Sequence, residues 1–211
     1  MKPVVAIDGH ACSGKGTLAK RLAKRFNLAY LDTGMLYRFI AIRKLGPAEI
    51  EKLSLEEAQR GLQKISAKDI RSDDVGAKAS LIAKLPEVRM AMLQLQRGFM
   101  ASPGEKYVGS ILDGRDIGTV VALNATCKIF VTARLEVRAK RRFRWMRRYN
   151  PAITYDDVYE NMRKRDLQDQ SRDVAPLLCN ASYSLIDTSD ETVNQSLERI
   201  AGIVAAALAT A

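Results

Sequence analysis

Apolar positions follow two rhythms along this chain. Short runs of apolar and β-branched residues occur at Pro3–Ile7, Leu28–Leu31, Tyr107–Leu112, Lys128–Ala133 and Ser184–Ile186. Such runs suit strands buried on both faces of a parallel sheet. Between them lie longer stretches with helical spacing. Gly14–Phe26 places Leu18, Leu22 and Phe26 four apart, and Gly34–Leu45 ends at Gly46-Pro47. Ser54–Ile65 opens with Ser54 and Glu57 at capping-box spacing. A long helical pattern runs over Ala77–Met100, interrupted near Pro86, and Ser102-Pro103-Gly104 closes it as a loop. Leu135–Tyr149 is helical and stopped by Asn150-Pro151, and Tyr155–Asp169 and Thr192–Leu208 complete the set. Ala67–Gly76 is polar and carries no helical or strand period. Strands alternating with helices predict an α/β domain on a parallel sheet. No internal repeat or low-complexity tract interrupts the pattern.

The length, 211 residues, fits one domain at roughly 150 residues per domain. A chain of this size buries about 70% of its extended surface and needs no disulfide or metal to fold. At 47% hydrophobic it is not a disordered chain. Cys12, Cys127 and Cys179 are odd in number and lack CxxC spacing, so they read as free thiols in a reducing compartment. Met1–Ile7 is too short for a signal-peptide core, and the least charged stretch, Ile200–Ala211, falls below the roughly 20 residues that span a bilayer. A cytoplasmic protein with no membrane partner is the expectation.

Charge changes the picture more. The chain carries 34 Lys+Arg against 24 Asp+Glu, a formal +10. A balance so basic points to a polyanionic partner. The excess is local: Arg134–Arg148 holds eight basic residues against the single acid Glu136, a charge of +7, leaving the rest near +3.

One segment carries explicit chemistry. Gly9-His10-Ala11-Cys12-Ser13-Gly14-Lys15-Gly16-Thr17 joins the first strand to the first helix and fits G-x-x-x-x-G-K. Backbone N–H groups converging in such a loop, with a helix N-terminus behind them, bind phosphate oxygens. Lys15 reaches the outer phosphates of a nucleotide and neutralises charge in transfer. These nine residues are the candidate ATP cradle. His10, the only histidine, is read as filling the loop, because phosphoryl transfer rests on positioning and electrostatics. Gly16 replaces the hydroxyl residue that many such loops place after the lysine. A Mg²⁺ ion would then depend on Thr17, on water, and on a carboxylate at another strand end, for which Asp113 is the candidate.

The motifs taken together resemble the bacterial cytidylate kinase family of P-loop nucleoside monophosphate kinases. The residues that carry this are Gly14-Lys15-Gly16-Thr17, then Leu31-Asp32-Thr33-Gly34 with Tyr37-Arg38, then Asp113-Gly114-Arg115-Asp116-Ile117-Gly118-Thr119-Val120-Val121, then Lys128-Ile129-Phe130-Val131, then Arg165-Asp166 through Ala175-Pro176-Leu177. They run in order over nearly the whole chain. The resemblance implies a P-loop NTPase-like three-layer fold with five parallel strands, a mobile basic lid and a nucleoside-monophosphate-binding insert. It implies transfer of a phosphoryl group from ATP to CMP or dCMP with Mg²⁺. Carried over position by position, the acceptor-phosphate contacts fall on Thr33, Arg38 and Arg115. Cytosine contacts fall on Ser80, Arg89, Asp116 and Arg172, and ribose contacts on Arg165 and Asp169. Cytosine presents an N4 amino donor that Asp116 can accept, whereas uracil presents an acceptor there.

Residues 39–76 are shorter than the insert of long family members, so the insert is a trimmed form; Gln168 stands where the family often has a basic residue, and His10 where it often has proline. The expected division is a core over about 1–37, 104–134 and 172–211, an insert over about 38–103 and a lid over about 135–171. Within the lid, Arg138, Arg141 and Arg142 are best placed over the phosphates, with Arg144, Arg147 and Arg148 facing solvent and Arg163 and Arg165 on the opposite arm. Lys15, Arg115, Arg138 and Arg142 are the expected catalytic cations. Two other functions remain compatible with the residues: a P-loop kinase for UMP or AMP, and a nucleic-acid-binding protein using the basic helix. The latter is disfavoured because no known binding motif accompanies that helix, so ATP and CMP or dCMP are the expected partners and nucleic acid is not. No apolar stripe is left over, which points to a monomer.

Overall fold

The computed structural model describes residues 2–210. Its frame is a five-stranded, fully parallel sheet in the order β2-β3-β1-β4-β5, formed by β1 (Val4–Gly9), β2 (Leu28–Asp32), β3 (Gly109–Gly114), β4 (Cys127–Thr132) and β5 (Ser184–Asp187). The five strands expected from apolar runs all form, most of them reaching one or two residues further towards their C-terminal ends.

Alternation along each strand separates two cores. Val5, Ile7, Ile111, Ile129 and Val131 pack against Leu18 and Leu22 of α1 (Lys15–Arg25) and Ile200 and Val204 of α10 (Val193–Ala209). Ala6 and Leu112 point the other way, onto Leu36, Phe39 and Ile40 of α2 (Thr33–Arg43) and Val88 and Met92 of α7 (Pro86–Ala101). The inner strands β1 and β3 thus have helices on both faces, as parallel sheets require, whereas at the β5 edge Leu185 is exposed.

The insert is wholly helical and differs most from expectation. Pro47 does not simply break the chain; it occupies the first turn of α3 (Pro47–Glu51), where its missing N–H leaves nothing unsatisfied. α4 (Leu55–Gln63) starts with the expected capping box, Ser54 Oγ accepting from Glu57 N–H and the Glu57 carboxylate accepting from Ser54 N–H. Ala67–Gly76, expected to be irregular, is instead α5 (Ala67–Ile70) and the start of α6 (Asp73–Ile82), capped by Ser66 and Ser72. These helices are too short for a period to emerge, and the serine caps carry the signal. The Ala77–Met100 pattern divides at Pro86, which is again at a helix start. The basic helix α8 (Leu135–Met146) stops three residues before Tyr149, and α9 (Tyr155–Ser171) extends past Asp169. A π-helical turn over Ile117–Val121 follows β3 and was not foreseen. Among the described residues no helix is long and apolar enough to cross a membrane.

Gly9 fixes the turn out of β1. Its φ is +145°, and a Cβ there would lie 1.9 Å from the Val131 carbonyl oxygen of the adjacent strand. Gly202, midway along α10, has nothing within 4 Å of the same position. Gly9→Ala is expected to lose at least about 2 kcal/mol, from a clash with backbone that cannot retreat. Gly202→Ala is expected to gain about 0.5–1 kcal/mol from reduced unfolded-state entropy. Thermal denaturation of the two variants checks both signs.

Candidate active site

The C-terminal ends of β1, β2 and β3 are in register, with Ile7 and Asp32 both opposite Asp113. A cleft of about 480 Å³ opens above them, at the place where open parallel sheets bind ligands. The loop after β1 forms its floor. Cys12 at φ 60° and Gly14 at φ +96° curl this loop into the N-terminus of α1. From behind, Thr188 Oγ1 donates to the Ser13 carbonyl at 2.8 Å, and Arg138 and Arg141 donate more weakly, to the Ala11 and Ser13 carbonyls.

Of the nine candidate cradle residues, Ala11, Cys12 and Lys15 line the cleft. Gly9, His10, Ser13, Gly14, Gly16 and Thr17 shape the loop without lining it. Gly16 has a steric reason to be glycine: a Cβ there would stand 3.0 Å from Asp113 Oδ2. A side chain directly after Lys15 would therefore push against the carboxylate at the end of β3. His10 fills space as expected, its ring edge-on to Phe130 at 5.7 Å and its nitrogens 3.2 Å from Thr132 Oγ1 and Gln170 Nε2.

Asp113 is buried and accepts a hydrogen bond from the Tyr30 hydroxyl at 3.0 Å. Burial, with Asp32 adding to it, pushes its carboxyl up to about 7, against the pull of Lys15. Burial and the neighbouring Arg115 push the Lys15 ammonium down to about 8, with Asp113 and Asp32 holding it up. Asp32 lines the cleft and caps α2, accepting from Met35 N–H at 3.0 Å. Thr17, expected to help hold a metal, is exposed and lies outside the cleft; Asp32 stands where that second oxygen ligand was sought. Among the described residues no group of three or more His, Cys, Asp or Glu is arranged to hold a metal ion. Two carboxylates sharing a cleft with phosphates nonetheless suit Mg²⁺, which takes few protein ligands.

The acceptor side is a narrower pocket that opens off the same cleft. All nine candidate acceptor residues line it: Thr33, Arg38, Ser80, Arg89, Arg115, Asp116, Arg165, Asp169 and Arg172. Five elements bring them together, α2, α6, α7, the end of β3 and α9 with its C-cap. Arg89 pairs with Asp116, and Arg115 Nε donates to Asp169 Oδ2 at 2.8 Å. Thr33 Oγ1 is turned to the Asp113 carbonyl at 2.7 Å. Arg165 Nε and Arg172 Nε and Nη2 are buried without partners, an arrangement that calls for an acceptor from outside the protein. Arg38 donates to the Ile70 and Ser72 carbonyls at 2.8 and 3.1 Å. Burial, then Arg165, Arg142, Arg115 and Arg71 around it, push its guanidinium down to about 9. So many cations converging on one cavity prepare it for anions.

The lid arginines part company. Arg142 lines the cleft and donates to the Arg71 carbonyl and to Asp73 Oδ1, both at 2.6 Å. Arg138, expected beside it, is buried at 4% exposure, paired with Asp166 at 2.7 Å and donating to the Ala133 carbonyl. It supports the loop from behind and does not face the cleft. Arg141 turns away in the same direction, onto Thr188. Arg144, Arg147 and Arg148 face solvent as expected. Arg163 is on the surface with Glu160, whereas Arg165 lines the cleft. Sequence reasoning missed Tyr37, Arg71, Asp73 and Asp74 as lining residues. The last three sit in the segment that had no period, so nothing but the serine caps pointed to them.

Known proteins resemble this chain over nearly its whole length. A family model described as cytidylate kinase matches residues 5–206. A cytidylate kinase of Rhodospirillum rubrum is 45% identical over 96% of this chain and 97% of its own length. One from Paramagnetospirillum magneticum is 42% identical over 97% and 98%. Among solved structures, an uncharacterized protein from Eubacterium ventriosum shares the fold with a TM-score of 0.59 at 12% identity, over 96% of this chain and 98% of that one. With matches that span both the phosphate loop and the acceptor pocket, this chain belongs to the cytidylate kinase family.

Proposed function

We propose that the protein transfers the γ-phosphate of ATP to CMP or dCMP, giving ADP and CDP or dCDP. The observation that carries this is the acceptor pocket opening onto the phosphate-loop cleft, with every candidate acceptor residue on its wall. ATP belongs on the loop, with Lys15 at its outer phosphates. The acceptor phosphate belongs between Arg38 and Arg115, which line both cavities. Asp116, held by Arg89, offers an acceptor oxygen to the cytosine amino group; the unpartnered N–H groups of Arg172 suit the base carbonyl and ring nitrogen. Asp169 suits the ribose hydroxyls, with Arg165 beside it in the pocket.

Transfer between two anions requires that their repulsion be offset and their oxygens aligned. Lys15, Arg38, Arg115, Arg142 and Arg165 supply the positive charge from different elements, so charge is offset on several sides of the transferring group. Such preorganised cations stabilise the dispersed negative charge of the transition state. Asp113 and Asp32 are the residues fitted to hold Mg²⁺, directly or through water, and the bound ion would neutralise further phosphate charge. Arg142 reaches across from α8 to the insert, which suits an arm that closes over the nucleotides and excludes water. A rigid core, an insert from 38 to 103 and a lid from 135 to 171 follow from that division of labour. The free cysteines, Cys127 buried and Cys179 exposed, suit a reducing cytoplasm, and the chain suits action as a monomer.

A panel of monophosphates in a coupled ATP assay tests the acceptor. CMP and dCMP are expected to exceed UMP and AMP by at least about 100-fold in kcat/KM, since a buried carboxylate facing a carbonyl leaves both unpaired. Equal or better use of UMP overturns the cytosine assignment. Asp116→Asn is expected to narrow the gap, because the amide can donate to uracil O4.

The pH profile of kcat/KM for ATP reports groups of the free enzyme. Asp113 must be ionised to favour the metal, so activity rises as pH passes about 7. Lys15 must be protonated, so activity falls as pH passes about 8. The expected result is a narrow bell between these values. A flat profile from pH 6 to 9 overturns the assignment of these two residues. Lys15→Ala, folded but slowed by at least about 100-fold, is the companion measurement.

A further inference from the structure

Behind the acceptor pocket lies a buried carboxylate that phosphoryl transfer does not use. Asp8, the penultimate residue of β1 and the neighbour of the phosphate loop's Gly9, has no exposure at all. Its Oδ1 accepts from Ile117 N–H at 2.8 Å, and its Oδ2 accepts from Gly118 N–H at 2.8 Å and from the Tyr183 hydroxyl at 2.7 Å. Burial raises the carboxyl and the three donors oppose it. Three donors meeting two oxygens match an ionised carboxylate.

The two backbone donors open the π-helical turn, and Asp116 is the residue immediately before it. Whatever fixes Ile117 and Gly118 therefore fixes the backbone that aims Asp116. The turn is built to admit this contact, since a Cβ on Gly118 would stand 2.6 Å from the Tyr183 oxygen. The Tyr183 ring has a second connection. It packs edge-on against Phe130 at 6.0 Å, and with Leu177 the two rings form a small separate cluster. Leu177 N–H donates to the Asp169 carbonyl at 2.7 Å. One tyrosine thus supports both acceptor carboxylates, Asp116 through its hydroxyl and Asp169 through its ring.

We propose that Tyr183, acting through Asp8 and Leu177, is a positioning residue for the acceptor pocket that sets the placement of Asp116 and Asp169. This rests on those two carboxylates gripping the acceptor nucleotide. The phosphate loop has its own supports in Thr188, Arg138 and Arg141, and meets the Tyr183 ring through His10 on Phe130. Removing the tyrosine hydroxyl while keeping its ring therefore loosens one substrate and not the other. Fully satisfied hydrogen-bond networks of this kind rigidify the groups they hold, and small misplacements of such groups are costly to a site.

Tyr183→Phe keeps the ring and its packing and removes the hydroxyl. Its KM for CMP is expected to rise about tenfold with KM for ATP within about twofold, and the preference for CMP over UMP is expected to fall. Asp8→Asn, which keeps one acceptor oxygen, is expected to show the same split, more mildly than Asp8→Ala. A merely structural role would lower the melting temperature and leave both KM values in place, and that result overturns the proposal. So does an equal rise in both KM values, or loss of folding in both Tyr183→Phe and Asp8→Asn. The wild-type monophosphate panel separates this from the acceptor assignment. If the wild type prefers another monophosphate, the assignment of cytosine falls, and the split is read on that acceptor. If it uses none, both fall.

Discussion

Mutual repulsion among cations is the constraint around which this structure is arranged. Lys15, Arg38, Arg115, Arg142 and Arg165 all line one cleft. Like charges in a partly buried site disfavour one another strongly, which is why burial and the neighbouring arginines weaken the proton affinity of Arg38 and Arg165. The fold holds them together with a carboxylate or carbonyl at most of them. Asp169 takes Arg115, Asp73 takes Arg142, and the Ile70 and Ser72 carbonyls take Arg38. The Arg165 and Arg172 N–H groups left without partners mark where this internal compensation stops. An anionic ligand would complete it.

The helical segment after α2 serves the same end. Five helices, α3 to α7, carry residues 47–101, and all but α7 are ten residues or fewer. The corner between α5 and α6 is nonetheless gripped twice, by Arg38 from α2 and by Arg142 from α8. The carbonyls of residues 70–72 thereby hold an arginine of α2 and an arginine of α8 at once. A short helical corner can do this because the end of α5 leaves carbonyls without intrahelical donors, while the serine caps take up the N–H groups at the helix starts.

Strand positions and the phosphate loop were legible because each depends on local features: an unbroken apolar run, or glycines where the backbone must turn. The residues that line the narrower pocket were legible only through family motifs, since an arginine such as Arg172 looks alone like any surface charge. Three things were not legible. The α5–α6 pair was hidden by helices shorter than the period needed to recognise them. Arg138 could not be told from Arg142, because which face of α8 meets the cleft depends on packing of Ala139 and Phe143 against Val158 and Met162. The role of Asp8 was hidden because its partners, Ile117, Gly118 and Tyr183, are backbone groups and a hydroxyl more than a hundred residues away.

The concentration of charge over Arg134–Arg148 is therefore less a single electrostatic patch than its density suggests. Arg134 is tied to Asp190, Arg138 to Asp166, Arg141 to Thr188 and the Ser13 carbonyl, and Arg142 to Asp73. Four of the eight cations thus join α8 to other parts of the molecule, two of them to the loop that cradles phosphate. Guanidinium suits this work because its several donors satisfy two or three carbonyls at once. Lys140, Arg144, Arg147 and Arg148 stay on the solvent face, where they raise the local potential without touching the site. Of the eight, Arg142 alone lines the cleft. A helix that shows one stripe to each neighbour can place one cation over the cleft only if others fix its angle, and Arg138, buried behind the loop, and the half-buried Arg141 do so.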